Sequence, residues 1–467
     1  MTLLKKRELD MCSGSLLDKI WRFTLPLILM NALQLFYNAA DMIIVGWFEG
    51  NSAVAAVGAT SPLINLIVNV FIGLGVGVNV CIGGYIGAGR TTDAKRAVDS
   101  AAAIGLVAGA IVTVLGLSLS SPLLKVMETP EDIFGHALLY SCIYFLGAPA
   151  NLFYNFMAAV LRSKGDTKRP LYILSASGAL NLLLNICFVA GLNLGVFGVA
   201  FATVISQYVG ALAVFFVVKK DSGALNFGKM RFHKESILKI IGQGIPSGIQ
   251  GSVFSLSTMV IQSAINSFET QAIAGNTAAG SIDTFSYIAF NAFQSTAVAF
   301  VAQNYGAKRL DRVRRSFSLC ILSASLMAIV TGWLIYALGE PLLGIYLLGD
   351  SEAIAFGMLR LRYICLPYFI LALMDVTVGV LRGMGKPILP TVISMIGSCG
   401  IRVAWIFTVF KADPSPDVLY LSFPLSWSVT FLALLLAYFV AVSRSKKIFA
   451  STDIVEKLDD ITPSVYN

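Results

Sequence analysis

The sequence predicts an all-helical membrane protein with twelve transmembrane helices, arranged in two six-helix lobes. Three observations lead to this prediction: the apolar composition, the distribution of the basic residues, and an internal repeat. Of the 467 residues, 57% are apolar and only 13% are charged, and the mean hydropathy is +0.78. Soluble domains carry about 45–50% apolar and about 25% charged residues. The composition therefore excludes a water-soluble fold of this size.

Twelve apolar segments are long enough to cross a bilayer, since a helical span needs about 20 residues. Glycines, prolines and charged residues separate the segments from one another. Predicted helices 1 to 12 cover residues 17–46, 54–82, 97–120, 134–160, 170–190, 196–218, 238–266, 272–302, 315–338, 354–380, 388–410 and 419–442. Pro26 lies inside predicted helix 1, where we expect it to break the helix and free a backbone carbonyl.

The basic residues support this number of helices and fix the orientation. If both termini are cytoplasmic, nearly all of the 34 Lys and Arg residues fall at the cytoplasmic side. Only Lys125 and Lys411 fall in the opposite loops, whereas Arg360, Arg362 and Arg402 fall within helices. One missed span would invert every later loop, so the positive-inside rule favours twelve spans with both termini cytoplasmic.

The two halves of the chain resemble each other at an offset of about 220 residues. Pro26 matches Pro246, and Arg162 in a Leu-Arg pair matches Arg382 in another. Because each half contains six helices, both enter the membrane from the same side. A pseudo-two-fold axis along the membrane normal should therefore relate the lobes, with a V-shaped central cleft between them. The predicted regions are an N-lobe (1–218), a cytoplasmic linker (219–237), a C-lobe (238–443) and a cytoplasmic tail (444–467).

The sequence offers little for enzymatic chemistry or nucleic-acid binding. The net charge is +8, but the basic residues flank apolar segments and form no continuous basic face. The seven cysteines lack metal or redox spacing, and His136 and His233 are too few and too isolated for a zinc or haem site. The glycine-rich run at 73–77 follows no strand, which favours close helix packing over a dinucleotide loop. We therefore predict neither an enzyme nor a bound cofactor.

Three of the 26 acidic residues fall inside predicted spans, namely Asp41, Asp283 and Asp375. A charged carboxylate in lipid costs several kcal/mol unless it is paired or hydrated. Each of the three is therefore a candidate for ion binding. The alternative is a carboxyl group that is protonated or satisfied by a local hydrogen bond.

Arg402 is the one arginine that lies deep in a predicted span. Its depth is similar to that of Asp283, which predicts an ion pair between them; snorkelling to the interface is the alternative. Arg360 and Arg362 lie nearer the end of their helix, so we expect both to snorkel.

Polar side chains continue along predicted helices 1 and 5. Gln34 and Asn38 share a helix face with Asp41, and Asn181 and Asn185 are separated by four residues on another face. Amide oxygens at that spacing can bind a hard cation or form hydrogen bonds between helices. The sequence leaves both alternatives open.

Taken together, these motifs resemble the multidrug and toxic compound extrusion (MATE) family, in a bacterial branch similar to the DNA-damage-inducible-F proteins. The resemblance covers nearly the whole chain. It rests on the segment leading to Asp41 and Ile43-Ile44-Val45-Gly46, on Gly-Ala-Gly-Arg90 and Gly-Ala-Lys-Arg309, on the Leu-Arg pairs at 162 and 382, and on residues 195–203. The resemblance implies a monomeric antiporter in the bacterial inner (cytoplasmic) membrane. Such a protein exports amphipathic organic cations in exchange for H⁺ or Na⁺ and binds no nucleic acid.

The family's N-lobe cation site contains an Asp of helix 1, two polar residues of helix 5 and a Thr of helix 6. By resemblance these positions are Asp41, Asn181, Asn185 and Thr203, which form the candidate coupling and Na⁺ site. Some members carry an Asp at the position of Asn185 and a Glu in helix 7, where this chain offers only Gln250.

The predicted substrate cleft contains polar residues of both lobes. They are Gln34, Tyr37, Asn38, Asn155, Gln250, Asp283, Asp375 and Arg402.

A flippase for a lipid-linked or polysaccharide precursor is the alternative function. An anionic cargo would favour several basic residues in the cleft, and Arg402 is the only deep one that the sequence predicts. A membrane enzyme would need a His-rich or paired-carboxylate cluster, which the sequence lacks, and a channel would not need two repeated lobes with buried acids.

Overall fold

The computed structural model describes residues 9–220, 230–347 and 349–461, with side chains described throughout these ranges except at 51, 66, 69 and 452–461. Within these ranges the chain is helical, with short turns and no β-strand. The prediction of an all-helical fold is confirmed.

Twelve long helices follow the predicted positions closely. The N-lobe contains α1 (Leu16–Gly50), α2 (51–87), α3 (Thr91–Val126), α4 (Glu131–Leu146 and Ala148–Ser163), α5 (Lys168–Gly191) and α6 (Gly195–Lys219). The C-lobe contains α7 (Lys234–Ile265), α8 (Thr270–Gly306), α9 (Leu310–Ala337), α10 (Ser351–Cys365 and Tyr368–Gly383), α11 (Ile388–Phe410) and α12 (Pro416–Ile461). A short helix, Gly339–Leu347, connects α9 to α10.

Most of these helices are apolar enough to cross a membrane. In the described ranges, 9 helices qualify on their own, and α4 and α10 bring the number to 11 as pairs bent by 46° and 44°. Helix α7 has 32 residues, which is long enough to span, but its sequence is richer in glycine and polar residues. It occupies the position of the remaining predicted helix, at the boundary with the other lobe.

Helices α1 and α2 are continuous except at one glycine. Gly50 has φ 80° and ψ −175°, a backbone conformation that interrupts the helix and separates the two spans. The predicted break at Pro26 is wrong, because the helix continues through that proline. Phe23 and Leu27 on either side belong to the buried core shared with the C-lobe. This packing holds the helix together where the proline removes one hydrogen bond.

The repeat is visible in the backbone as well as in the sequence. Gly165 follows α4 with φ +90°, and Gly385 follows α10 with φ +74°. These left-handed conformations favour glycine because it has no Cβ. The two residues are related by the same offset as Pro26 and Pro246, so corresponding turns end corresponding helices in the two lobes.

The lobes contact each other through α1 and α8 on one side of the interface. Phe23 and Phe300 meet edge to face, with ring centroids 5.6 Å apart. One turn away, the hydroxyl oxygens of Thr24 and Thr296 lie 2.8 Å apart in a buried hydrogen bond. This side of the interface therefore depends on side chains.

The other side of the interface, between α2 and α7, depends on backbone contact. A Cβ atom added at Gly73 would lie 2.3 Å from the backbone nitrogen of Gly248, and one added at Gly77 would lie 2.2 Å from the carbonyl oxygen of Ile240. We call Gly73, Gly77, Gly244 and Gly248 the glycine seam. The interpretation of the 73–77 run as a packing motif is confirmed.

The end of the molecule that holds the α2–α3 and α8–α9 turns is rich in basic residues, and we call it the basic end. The segment 9–14 crosses it. The amide of Leu9 donates to the carbonyl of Gly165 in the N-lobe at 3.4 Å. Arg312 of the C-lobe donates to the carbonyl of Ser13 at 2.9 Å. The segment therefore connects the two lobes.

Two predicted regions extend beyond the described residues. In the linker 219–237, residues 221–229 lie outside the description, and α7 begins at Lys234. The predicted tail 444–467 continues α12 as a helix to Ile461, and residues 462–467 lie outside the description.

Candidate functional site

The four residues of the predicted coupling site come together between α1, α5 and α6. The side-chain amide of Asn185 donates to Asp41 Oδ1. The same amide lies 3.4 Å from Asn181 Oδ1, and Asn181 Nδ2 donates to Thr203 Oγ1 at 3.3 Å. A continuous chain of hydrogen bonds thus connects the carboxyl group of α1 to the hydroxyl group of α6. We call these four residues the Asp41 site.

The Asp41 site contains an oxygen without a partner. Asn185 is fully buried, and its Oδ1 atom makes no hydrogen bond in the described structure. Leaving a buried polar atom unsatisfied costs about 1–3 kcal/mol. Carboxylate, amide and hydroxyl oxygens are the ligands that hard cations prefer. The donor set therefore suits a small monovalent cation, and the carboxyl group can also take up a proton.

Local features of α5 place the two amides toward α1. The α-helical part of α5 ends at Asn185, and a π-helical turn follows at Ile186–Gly191. Such turns are frequent at functional sites. One helical turn before Asn181, a Cβ atom at Gly178 would lie 1.9 Å from the ring of Tyr37. Glycine at this position therefore lets the ring of Tyr37 lie directly against the backbone of α5.

Asp41 lies at the border of two cavities in the N-lobe. The first, which we call the N-lobe cavity, has a volume of about 210 Å³ and contains seven of the predicted site residues. They are Gln34, Tyr37, Asn38, Asp41, Asn155, Asn181 and Thr203. The second cavity, also about 210 Å³, lies between α1, α2 and α4, where Thr60 and Tyr140 contribute to its wall. The carboxyl group of Asp41 can therefore be reached from two directions.

The remaining predicted cleft residues lie in the C-lobe. Some of them line a cavity there, and one belongs to a buried ion pair. Gln250, Asp375 and Arg402 line a cavity of about 380 Å³ between α7, α8, α10 and α11, which we call the C-lobe cavity. Asp375 accepts a hydrogen bond of 3.1 Å from Asn291 Nδ2. Asp283 lines none of the described cavities.

Comparison with known proteins identifies the family. The family model described as MatE matches residues 26–187 and 246–408, which is more than half of the chain. The chain belongs to the MatE family. The two matches begin at Pro26 and Pro246, which are the residues that first indicated the repeat. Proteins of this family are transporters and not enzymes, so the predictions of family and of a non-enzymatic role are confirmed.

Individual MATE proteins are similar over almost their whole length. The chain is 27% identical over 444 residues to the probable multidrug resistance protein YoeA of Bacillus subtilis, covering 92% of this chain and 95% of that protein. It is 24% identical over 396 residues to the probable multidrug resistance protein NorM of Thermotoga maritima, covering 84% and 85%. A MATE transporter solved in an outward-facing conformation matches with a TM-score of 0.87 at 21% identity, covering 94% of this chain and 98% of that one. The chain is thus a multi-pass membrane transporter with the MATE fold.

In this MATE protein, the predicted ion pair between Arg402 and Asp283 is wrong. Arg402 Nε donates to Ser426 Oγ at 2.8 Å, and its guanidinium group lies 4.4 Å from the ring centroid of Phe423. Both partners belong to α12, so α11 turns Arg402 away from α8. An aromatic face and a hydroxyl group replace the expected carboxylate.

Asp283 instead pairs with Arg360 of α10. The closest atoms of the pair are 2.8 Å apart, and Arg360 Nη1 also donates to Asn276 Oδ1 at 2.8 Å. The same Asn276 oxygen accepts from the hydroxyl group of Tyr420 at 3.0 Å. The prediction that Arg360 snorkels is therefore wrong, because a carboxylate at its own depth satisfies it inside the lobe. Arg362 is exposed.

Sequence reasoning missed two arginines that line the cavities. Arg162 belongs to the wall of the N-lobe cavity, and Arg382 belongs to the wall of the C-lobe cavity. Predicted helices 4 and 10 end at residues 160 and 380, just before these arginines, so the sequence places both among the basic residues at the cytoplasmic side of the spans. The signal that could have identified them is the repeat itself, since the Leu-Arg pair occurs at the same place in both halves.

Proposed function

We propose that this MATE transporter exports small organic cations in exchange for H⁺ or Na⁺, with Asp41 as the coupling residue. The observation that carries the proposal is the environment of Asp41. Its carboxyl group contacts an amide of Asn185, forms no ion pair within the described ranges, and borders two cavities. A carboxyl group in this setting can bind and release a cation. The multidrug resistance names of YoeA and NorM support export of organic compounds, and neither name supports the flippase alternative.

Exchange follows if the coupling ion and the substrate depend on the same negative charge. When Asp41 is ionised, it attracts an organic cation into the N-lobe cavity, where Gln34, Tyr37 and Asn38 supply polar and aromatic contacts. When a proton or Na⁺ neutralises Asp41, that attraction disappears and the substrate leaves. Coupling of this kind needs only a difference in substrate affinity between the two charge states.

The membrane potential contributes energy only when the exchange moves net charge across the membrane. Moving one positive charge inward through 100 mV releases about 2.3 kcal/mol. Because about 1.4 kcal/mol corresponds to a tenfold concentration ratio, exchange of one coupling ion for a neutral substrate sustains a gradient of roughly fifty-fold. For a substrate with one positive charge, one-for-one exchange moves no net charge, so the gradient of the coupling ion alone drives export.

We further propose that the basic end faces the cytoplasm, in agreement with the positive-inside rule. The glycine seam and the segment 9–14 hold the two lobes together near this end. The conformation then corresponds to the outward-facing state of the transport cycle.

The test is ethidium transport by purified protein in lipid vesicles, with pH and Na⁺ gradients imposed separately. We expect one of the two gradients to drive ethidium transport in the wild type, and Asp41→Asn to abolish the response to that gradient. Glu49→Gln is the matched control, because Glu49 is an exposed acid on the same helix. The proposal would be refuted if Asp41→Asn kept its gradient-driven transport, or if ethidium transport by the wild type depended on neither gradient.

A further inference from the structure

The C-lobe cavity carries more basic residues than the N-lobe cavity, which is lined by one acid, Asp41, and one arginine, Arg162. Three of the side chains that line the C-lobe cavity are ionisable acids or bases, namely Asp375, Arg382 and Arg402. An arginine keeps its proton in proteins, so the cavity contains at most one negative charge and two positive charges. Arg382 is 8% exposed and Arg402 is 6% exposed, so both cations are more than nine-tenths buried.

Each of these arginines has a nitrogen without a partner. Arg382 Nη2 donates to Gln250 Oε1 at 2.8 Å, but Arg382 Nε makes no hydrogen bond in the described structure. Arg402 Nε is satisfied by Ser426, whereas Arg402 Nη2 is buried without a partner among the described residues. Neither guanidinium group forms an ion pair in the described ranges.

Among the described acidic residues in the interior of the C-lobe, Asp375 offsets part of this positive charge, because it interacts electrostatically with Arg382 without forming an ion pair. Asp375 accepts from Asn291 and lies beyond ion-pair distance from both arginines. Asp283 is already paired with Arg360. One of the two positive charges is still left without a counter-charge, which is unfavourable in a buried site. An anion from outside the chain would supply the missing charge and accept hydrogen bonds from both free nitrogens.

We propose that the C-lobe cavity binds the carboxylate or phosphate group of a small organic anion through Arg382 Nε and Arg402 Nη2. Carboxylates and phosphates match the planar donor pattern of arginine. Phe254, Tyr287 and Trp427 also line the cavity, so the organic part of the ligand meets aromatic surface. The volume of about 380 Å³ falls within the usual range of small-molecule sites. This inference goes beyond the proposed export of cations and does not depend on Asp41.

The position of Trp427 provides a direct binding assay. We would add 4-nitrobenzoate to the purified protein in phosphatidylcholine nanodiscs and follow quenching of tryptophan fluorescence. The neutral probe 4-nitrobenzyl alcohol has nearly the same size and ring, and 4-nitrophenyl phosphate tests the second anionic group. We expect saturable quenching by both anions, with at least about tenfold weaker binding of the neutral probe, since a charged hydrogen bond contributes about 1.5–3 kcal/mol. Equal binding of the neutral and anionic probes to the wild type would overturn the proposal without any variant.

Substitutions then locate the site. Arg382→Gln and Arg402→Gln should each weaken 4-nitrobenzoate binding by about ten- to hundredfold. Arg402→Lys should weaken it less, because it keeps the charge. Arg362→Gln is the control, since Arg362 is an exposed arginine of the same lobe. Unchanged binding in both Gln variants, with their melting temperatures preserved, would overturn the assignment.

Two further measurements test the independence of the anion site and the source of its ligand. Asp41→Asn should leave 4-nitrobenzoate binding unchanged while abolishing ethidium coupling, so the anion site and the proposed function can fail independently. Replacing phosphatidylcholine by phosphatidylglycerol distinguishes the sources of the anionic group. Competition by the anionic lipid would identify a lipid headgroup as a ligand of the same two arginines, whereas unchanged affinity would indicate a soluble anion.

Discussion

The glycine seam predicts that one added methyl group opens the basic end. In Gly77→Ala, the new Cβ would lie 2.2 Å from the carbonyl oxygen of Ile240 and 2.9 Å from the backbone nitrogen of Gly244. Both neighbours are backbone atoms of α7, so neither can rotate away as a side chain would. The contact can be relieved only if α2 and α7 move apart.

The size of the effect follows from the overlap. Non-bonded carbon contacts are comfortable at about 3.5–4.0 Å, so the two helices must separate locally by roughly 1 Å or more. Overpacking of this kind costs about 1–3 kcal/mol. The cost applies only while the seam is closed, so the ratio of open to closed basic ends should rise by about 5- to 150-fold.

Spin labels on opposite lobes measure this ratio. Thr92 and Asp311 are exposed positions just after the α2–α3 and α8–α9 turns, and the labels require replacement of the seven native cysteines. We expect Gly77→Ala to add a population at longer distance. Gly75→Ala is the control, because its Cβ would lie 3.9 Å from the nearest neighbouring atom, the carbonyl oxygen of Asn155. If folded Gly77→Ala keeps the distance distribution of the control, the seam does not determine closure.

Three further predictions concern the ion pair, the Asp41 site and the N-terminal segment. Arg360→Gln leaves Asp283 buried without its cation and should lower the free energy of unfolding by about 3–5 kcal/mol, measured by denaturant unfolding in detergent; a loss below about 1 kcal/mol would mean that the pair is dispensable. If Na⁺ is the coupling ion, Asn185→Ala removes one oxygen ligand and should raise the Na⁺ concentration for half-maximal transport by about tenfold. If H⁺ is the coupling ion, the loss of the amide donor should instead tighten proton binding at Asp41. Unchanged Na⁺ dependence and unchanged pH dependence of transport would contradict the site. Arg312→Gln removes the bond to the carbonyl of Ser13, and hydrogen exchange of residues 9–14 should become faster; unchanged exchange would show that other contacts hold the segment.

The sequence predicted the helices well because their determinants are local. Apolar length and flanking basic residues define a span regardless of what surrounds it, and the observed helices begin and end within a few residues of most predicted ones. Pro26 was the exception. Its effect depends on the packing of Phe23 and Leu27 against the other lobe, which the pattern of a single helix does not contain.

The Asp41 site was also predictable, because the residue spacing on α5 and the family resemblance indicate the same residues. The spacing of Asn181 and Asn185 places both amides on one face of α5, and the MATE resemblance related that face to Asp41 and Thr203. The observed hydrogen bonds connect all four residues. Their role in coupling stays a prediction.

The charged residues of the C-lobe were less predictable because their partners depend on how helices rotate about their axes. In the observed helices, which begin earlier than predicted at α10, Arg360 and Arg402 lie at similar distances from the ends of their spans. Nevertheless, α10 turns Arg360 toward Asp283, and α11 turns Arg402 toward Ser426. Depth alone cannot distinguish these arrangements. Arg382 shows the same limit, because its burial results from the packing of α7 and α8 over the end of α10.

The glycine seam also has a consequence for leakage. A transporter that uses an ion gradient dissipates that gradient if protons or water can cross the molecule at its closed end, which is here the basic end. A hydrogen-bonded chain of water molecules needs space for each molecule and polar atoms that form hydrogen bonds with it. Where α2 and α7 touch backbone to backbone, at distances too short even for a methyl group, that room is missing. While α2 and α7 stay in contact, the glycine seam therefore insulates this part of the membrane against proton leakage.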